Sequence, residues 1–248
     1  MVRSSITELI PEGSLRRFLH RQAGGRKLLT VAITGAHAYG YPHDESPLQL
    51  QAIHVEPTES LVGLHKPHGT DNWVDEFEGR AVDYSSREVG EALERLLRGD
   101  GSVLERIMAP RQLVDGEELR RLRMVARGAV SIRFHTYYRN FCRAVLDDWQ
   151  DKRPTLQHML SIYRTALTGI HLLRSGKLEL DLPSLANQYK MRELPELVRH
   201  GRQHGLTPLP AKGPSLKMLV RLSALLEDSY DASPLPAEPE RPELAEEY

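Results

Sequence analysis

Apolar residues follow two different rhythms along this chain. Lys27–Thr34 (KLLTVAIT) is a compact apolar run rich in β-branched residues, which predicts a strand buried on both faces. Leu48–Val55 alternates instead, with Leu48, Leu50 and Ala52 on one face and Gln49 and Gln51 on the other, and predicts a second strand paired with the first. Arg80–Tyr84 predicts a short third strand, whereas residues 57–79 give only loop-like signals. A short helix is expected from Ser14 to about His20. Ser85 and Glu88 form a capping-box pattern ahead of Val89, Leu93, Leu96 and Leu97, and Gly99 stands where that helix should end. Another short helix is expected over Ser102–Met108, stopped before Pro110.

From Glu117 onward the rhythm is helical, with apolar spacings of three and four over roughly 117–148, 155–175, 184–203 and 215–229. The breaks fall at Asp151–Pro154, Gly176–Pro183 and Gly205–Pro214. Residues 231–248 hold four prolines and six carboxylates among few apolar groups, a composition that predicts a disordered tail. The expected fold class is α+β: a mixed α/β domain over 1–116, an α-helical domain over 117–230 and an acidic tail over 231–248.

Composition sharpens this division. The 248 residues include 33 Lys+Arg and 34 Asp+Glu, but the charges are unevenly spread. Residues 1–118 carry 13 basic and 19 acidic side chains, 119–230 carry 19 and 9, and 231–248 carry 1 and 6. The basic helical half suits a polyanion such as a nucleotide or RNA, or else simply carries arginines on solvated faces. No apolar run approaches a membrane span and the N-terminus lacks a secretory pattern, so a cytoplasmic chain with no membrane partner is expected. The single cysteine, Cys142, excludes an intrachain disulfide and a thiolate metal cluster within one chain. Its setting in an apolar stretch predicts a buried small hydrophobe.

The candidate chemistry lies between the first two strands. Gly35 directly follows a buried strand and Gly40 comes five residues later, a turn whose amides could approach a phosphate. The order of parts is strand, glycine turn, loop, strand, then a third strand bearing Asp83 and a capped helix. This resembles the polymerase β-type nucleotidyltransferase superfamily. Gly35-Ala36 falls on its Gly-Ser pair, and Pro47-Leu48-Gln49-Leu50 on its Asp-hydrophobic-Asp-hydrophobic strand. More narrowly, the chain is similar to a predicted nucleotidyltransferase family related to RNA-ligase-associated proteins. The matches are Gly35, Ala38, Tyr39, Gly40, Ser46, Val55, Val82-Asp83, the helix Val89–Leu97, the Gly-Asp-Gly-Ser-Val-Leu-Glu run at 99–105, Lys152 and Tyr163-Arg164.

That resemblance implies two carboxylates one residue apart and a third on a neighbouring strand, together holding two Mg²⁺ ions. Here the paired positions are Pro47 and Gln49, the phosphate-contacting serine is Ala36, and only Asp83 survives. Asp44 and Glu45 are adjacent, so on a strand they would face opposite ways. The resemblance also implies nucleotide contacts from Gly35, Ala36, Tyr39, Gly40, Lys152 and Arg164, with His37 and His43 flanking the loop. Three readings stand. One is a pseudoenzyme that binds nucleotide or RNA without a cofactor, or docks on an active paralogue or RNA-processing partner. Another is an active enzyme with an altered metal site that uses Mg²⁺ to transfer a nucleotidyl group to RNA, protein or a small molecule. The last is a structural interaction module with a filled cleft. His65 and His68 read as solvated loop histidines. Tyr137, Tyr138 and Phe141 among Arg133, Arg139 and Arg143 fit either a nucleic-acid stacking face or core beside surface. The stretch Arg199–His204 reads as a solvated face.

Overall fold

The computed structural model describes residues 12–62, 69–151, 155–204 and 216–248. Among them, α1 (Glu12–Gln22) precedes β1 (Lys27–Thr34), the single turn α2 (Ala36–Tyr39), β2 (Leu48–Val55) and α3 (Thr58–Val62). Then come β3 (Thr70–Phe77), β4 (Arg80–Glu88), α4 (Val89–Leu97), α5 (Gly101–Met108) and β5 (Gln112–Val114). The rest is helical: α6 (Glu117–Ala129), α7 (Phe134–Asp151), α8 (Leu156–Ser175), α9 (Leu182–Gln188), α10 (Leu194–His204), α11 (Leu216–Asp231) and α12 (Glu243–Glu246). The α+β class is as the sequence predicts, and no described helix is long and apolar enough to cross a membrane.

The five strands form one mixed sheet in the order β3-β4-β2-β1-β5. β1 and β2 pair antiparallel with Thr34 opposite Gln49, while β2 and β4 run parallel with Gln49 opposite Asp83. Period-2 alternation decides which layer each face meets. Leu48, Leu50 and Ala52 join Val31, Ile33, Val82 and Tyr84 beneath Leu15, Phe18 and Leu19 of α1. The other face carries Ala32 and Ile53 into a second core that continues without interruption through α4–α11. The sheet and the helical layer therefore share one hydrophobic interior.

Four local expectations differ from the structure. The stretch 57–79 contains β3, an edge strand hairpinned to β4 through Glu78 and Gly79, both at positive φ (50° and 75°). Ser85 lies inside β4, and the N-cap of α4 is Glu88, whose carboxylate accepts from the Glu91 amide. The periodic stretches 117–148 and 184–203 each split in two, at Val130–Arg133 and Tyr189–Glu193. Finally, residues 232–248 pack on α6, on the corner that follows it and on the end of α8 instead of forming a disordered tail. The Ile132 amide donates to Pro236 O, Arg133 pairs with Glu238, and the Tyr248 hydroxyl donates to Glu118. Leu235, Leu244 and Tyr248 rest against the core, so a few apolar anchors and opposite charge order a segment whose composition alone argues against order.

A buried polar cluster ties the two halves together. Glu105 on α5 is 3% exposed and accepts from Arg164 on α8 at 2.6 Å. Tyr39 on α2 and Tyr138 on α7 donate to the same carboxylate, and the Arg164 guanidinium stacks over the Tyr39 ring at 4.1 Å. Gly169 on α8 permits this approach, because a Cβ there would stand 2.5 Å from the Tyr138 ring. Removing one partner of such a pair strands a charge in the interior. Glu105→Gln should therefore cost about 3–5 kcal/mol, read as a fall in midpoint on the order of 10 °C.

His54 on β2 is enclosed between Ser86 Oγ (Nδ1, 2.6 Å) and Glu56 Oε1 (Nε2, 3.1 Å). Burial, then the nearby Arg26 charge, lowers its pKa, and burial likewise lowers those of His37, His135 and His171. These rings fold neutral, whereas the unfolded chain protonates them near its ordinary pKa of about 6.5. Stability is thus complete above about 6.5 and declines as the pH falls below it. Urea denaturation at stepped pH should show this slope, and His54→Gln should make it shallower.

Candidate functional site

The site is assembled at one end of the sheet, where β1 finishes and β2 begins. The chain leaves β1 at Gly35 with φ +66°, turns once through α2, and exits at Gly40 with φ +85° in the left-handed region. A Cβ at Gly35 would overlap Gln49 Oε1 and lie 2.7 Å from its Cδ, so glycine is what lets the Gln49 side chain lie against the turn. The turn is internally bonded: the Ala38 and Tyr39 amides donate to Gly35 O, and the Tyr41 amide to Ala36 O. Phosphate contacts from this loop can only come from its opening residues and from side chains around it.

Gln49 is half-buried, and its Nε2 donates to Asp83 Oδ2 at 3.2 Å across the β2–β4 register. Pro47 is exposed ahead of β2. Asp44 and Glu45 lie in the exposed turn before it, where the Glu45 amide donates to His43 Nδ1 and the His43 amide to Ser46 Oγ. Ser46 O accepts from both His37 Nε2 and Arg80 Nη1 at 3.2 Å, which assigns the Nε2 proton of His37 and leaves its Nδ1 as an acceptor. Among the described residues, no three His, Cys, Asp or Glu side chains converge as a metal-binding group.

The remaining candidates are dispersed. Gly35, Gln49 and Asp83 come together, whereas Ala36 is buried in the core and His37 turns to Ser46 O. Tyr39 and Arg164 instead point into the interior, where both contact Glu105, so the nucleotide contact expected of Arg164 is not what its placement offers. A charge read from sequence gives no hint of an inward partner sixty residues away. Gly40 faces the helical layer: Arg202 of α10 donates to its carbonyl through Nε at 3.0 Å, and a Cβ there would meet Asp181 and Pro183. Tyr137 and Tyr138 pack edge to face at 5.1 Å within the core, so the aromatic and basic interleaving on α7 is core beside surface. Cys142 is buried, and burial pushes its thiol up to about 12. Lys152, His65 and His68 lie outside the described residues.

Sequence reading missed Arg106. It follows Glu105 on α5 and points the opposite way, into the sheet, where it donates to Ala52 O at 2.6 Å and Ser85 Oγ at 3.4 Å. The available signal was two adjacent charges inside the apolar helix Ser102–Met108.

The sequence matches RlaP, the RNA repair pathway DNA polymerase beta family, over residues 12–246. Among solved structures, the chain is similar to a nucleotidyltransferase-like protein from Exiguobacterium sibiricum 255-15. The identity is 13%, covering 89% of this chain and 74% of that one, with a TM-score of 0.36. No curated protein matches.

The Gly35–Gln49 contact is directly testable. Gly35→Ala should destabilise the protein by about 1–3 kcal/mol through the strained φ alone, with the overlap adding to it. In a Gln49→Ala background the same substitution should cost less, since the overlap is gone. A double-mutant cycle in urea reads the difference.

Proposed function

Since this chain belongs to the RNA repair pathway DNA polymerase beta family, a nucleotidyltransferase-like family, we propose that it is a pseudoenzyme: it retains a cleft for a nucleotide or RNA end and does not carry out metal-dependent nucleotidyl transfer. One observation carries this reading, the hydrogen bond from Gln49 Nε2 to Asp83 Oδ2. Nucleotidyl transfer of this type needs carboxylates at alternate strand positions, which hold two Mg²⁺ ions against the phosphates. A neutral amide that donates to the one surviving acid stands where a second carboxylate would have to supply negative charge to two divalent ions. Here the donor sits where the second acid of the pair would be, and Pro47 supplies no ligand at the first. Asp44 and Glu45 are fixed in an exposed turn, away from the role. The donor set therefore does not fit a two-Mg²⁺ centre.

Loss of the acid pair also changes what the cleft favours. With one carboxylate left, and that one hydrogen-bonded, the negative field against bare phosphate is weaker. The basic helical layer, with 19 basic against 9 acidic side chains over 119–230, adds long-range attraction for a polyanion. Binding without a divalent ion follows.

The protein should transfer no label from α-³²P nucleotides in Mg²⁺ or Mn²⁺. ATP or a short RNA should raise its melting temperature equally with Mg²⁺ and with EDTA. The pair Pro47→Asp and Gln49→Asp should make nucleotide binding Mg²⁺-dependent. Label transfer by the wild type, abolished by Asp83→Ala, would instead establish an active enzyme with an altered metal site.

A further inference from the structure

Arg106 poses an electrostatic problem that the fold does not solve by itself. It is 2% exposed, and both of its hydrogen bonds go to neutral oxygens, those of Ala52 and Ser85. Its Nε is buried without a hydrogen-bond partner among the described residues. The preceding residue shows the contrast, for Glu105 has Arg164 at 2.6 Å. Burial, then the like charge of Arg87, lowers the Arg106 pKa to about 10. The Nε of Arg87 is likewise buried and unpartnered. An unpartnered buried Nε is shared with Arg139 and Arg164. What sets Arg106 apart is that its guanidinium donates to no carboxylate among the described residues, whereas a buried guanidinium is expected to be paired with an anion.

The position of this pair links it to the cleft. On β4, Asp83, Ser85 and Arg87 share a face, and they lie opposite Gln49, Gln51 and Ile53 of β2. Ser85 Oγ, the acceptor for Arg106, is two residues and so about 7 Å along the strand from Asp83. Asp83 and its β3 neighbour Val74, which is 78% exposed, face solvent. Ser85 is half-buried and Arg106 is enclosed. This face thus passes from exposed Asp83 through half-buried Ser85 to buried Arg106. The Arg87 side chain is 12% exposed and is held at Nη1 by Glu91 Oε1, which Arg95 also holds at 2.9 Å. A rotation of Arg87 leaves Glu91 with a cationic partner.

We infer that Arg106, Arg87 and Ser85 form a subsite for a phosphate oxyanion, reached from the Gln49–Asp83 end of the cleft. Fixed guanidinium groups supply there the positive charge that the missing carboxylates can no longer recruit as metal ions. Arginine suits this role because its fork stays charged and donates to two oxyanion oxygens at once. The subsite rests on the proposed metal-free nucleotide or RNA binding, and it specifies which groups hold the phosphate. No covalent step is involved.

The test is calorimetric titration of the full chain in EDTA with three probes: inorganic tripolyphosphate, ATP and a 5′-phosphorylated ten-nucleotide RNA. Arg106→Met removes the buried charge and keeps the volume but leaves Ala52 O without its donor, so it should fold with a loss of thermal stability, to be checked by melting before titration. It should also lose about ten- to a hundredfold in affinity for the probes the wild type binds. Arg87→Gln, at the more accessible position, should weaken the same probes, and it serves as the deciding variant if Arg106→Met does not fold. The probe bound most tightly identifies the source of the phosphate. Wild-type affinity for ATP or RNA retained in folded Arg106→Met, or in Arg87→Gln, overturns the subsite and leaves metal-free binding standing. Failure of the wild type to bind any of the three overturns both.

Discussion

The Glu105–Arg164 ion pair is the joint on which this molecule depends. Its four contributing side chains come from α2, α5, α7 and α8, so a single carboxylate connects the turn at the site, the helix beneath the sheet and the central helices of the second layer. Full burial makes it costly to form, since both charges leave water. It is tolerable because the carboxylate also receives two phenol hydroxyls and the guanidinium has an aromatic face to lie on. The two layers therefore meet in one specific alignment, and the Gly35 turn inherits it through Tyr39. Arg202 adds a second fastening from α10 to the Gly40 carbonyl.

Charge organises the outside of the molecule as the pair does the inside. The acidic C-terminal residues lie across the basic α6–α7 region, with Arg133 on Glu238 and Arg121 stacked over Tyr248 at 4.8 Å. Such surface contacts are individually weak. Here they act together with Leu235, Leu244 and Tyr248 against the core, so the closing segment covers helix surface that would otherwise be wet.

Much of the architecture was legible because it is written in periodicity. β1 and β2 were found with their faces correctly divided, since Leu48, Leu50 and Ala52 alternate with glutamines. β3 was hidden because its inward residues Trp73 and Phe77 share their face with Asp71 and Asp75 while the apolar Val74 points outward, a pattern without a clear period 2. The corner between α6 and α7 has no proline and its apolar spacing runs through, so the stretch looked continuous. At the site, the alternation places Gln49 on the face away from Leu48 and Leu50, but it does not set the parallel β2–β4 register that brings Asp83 opposite. The inward turn of Arg164 and the unpaired burial of Arg106 could not be anticipated, because they depend on which face of a helix meets which layer. Composition likewise could not reveal that the proline-rich end finds apolar anchors on α6.

Cys142 has a practical consequence. It is the molecule's lone thiol, it is 5% exposed in the wall of the helical core, and burial holds it as the unreactive protonated form. A thiol reagent can modify it only when the surrounding helices part. Its alkylation rate is therefore a built-in clock for breathing of the helical layer, readable without adding a label anywhere else in the chain.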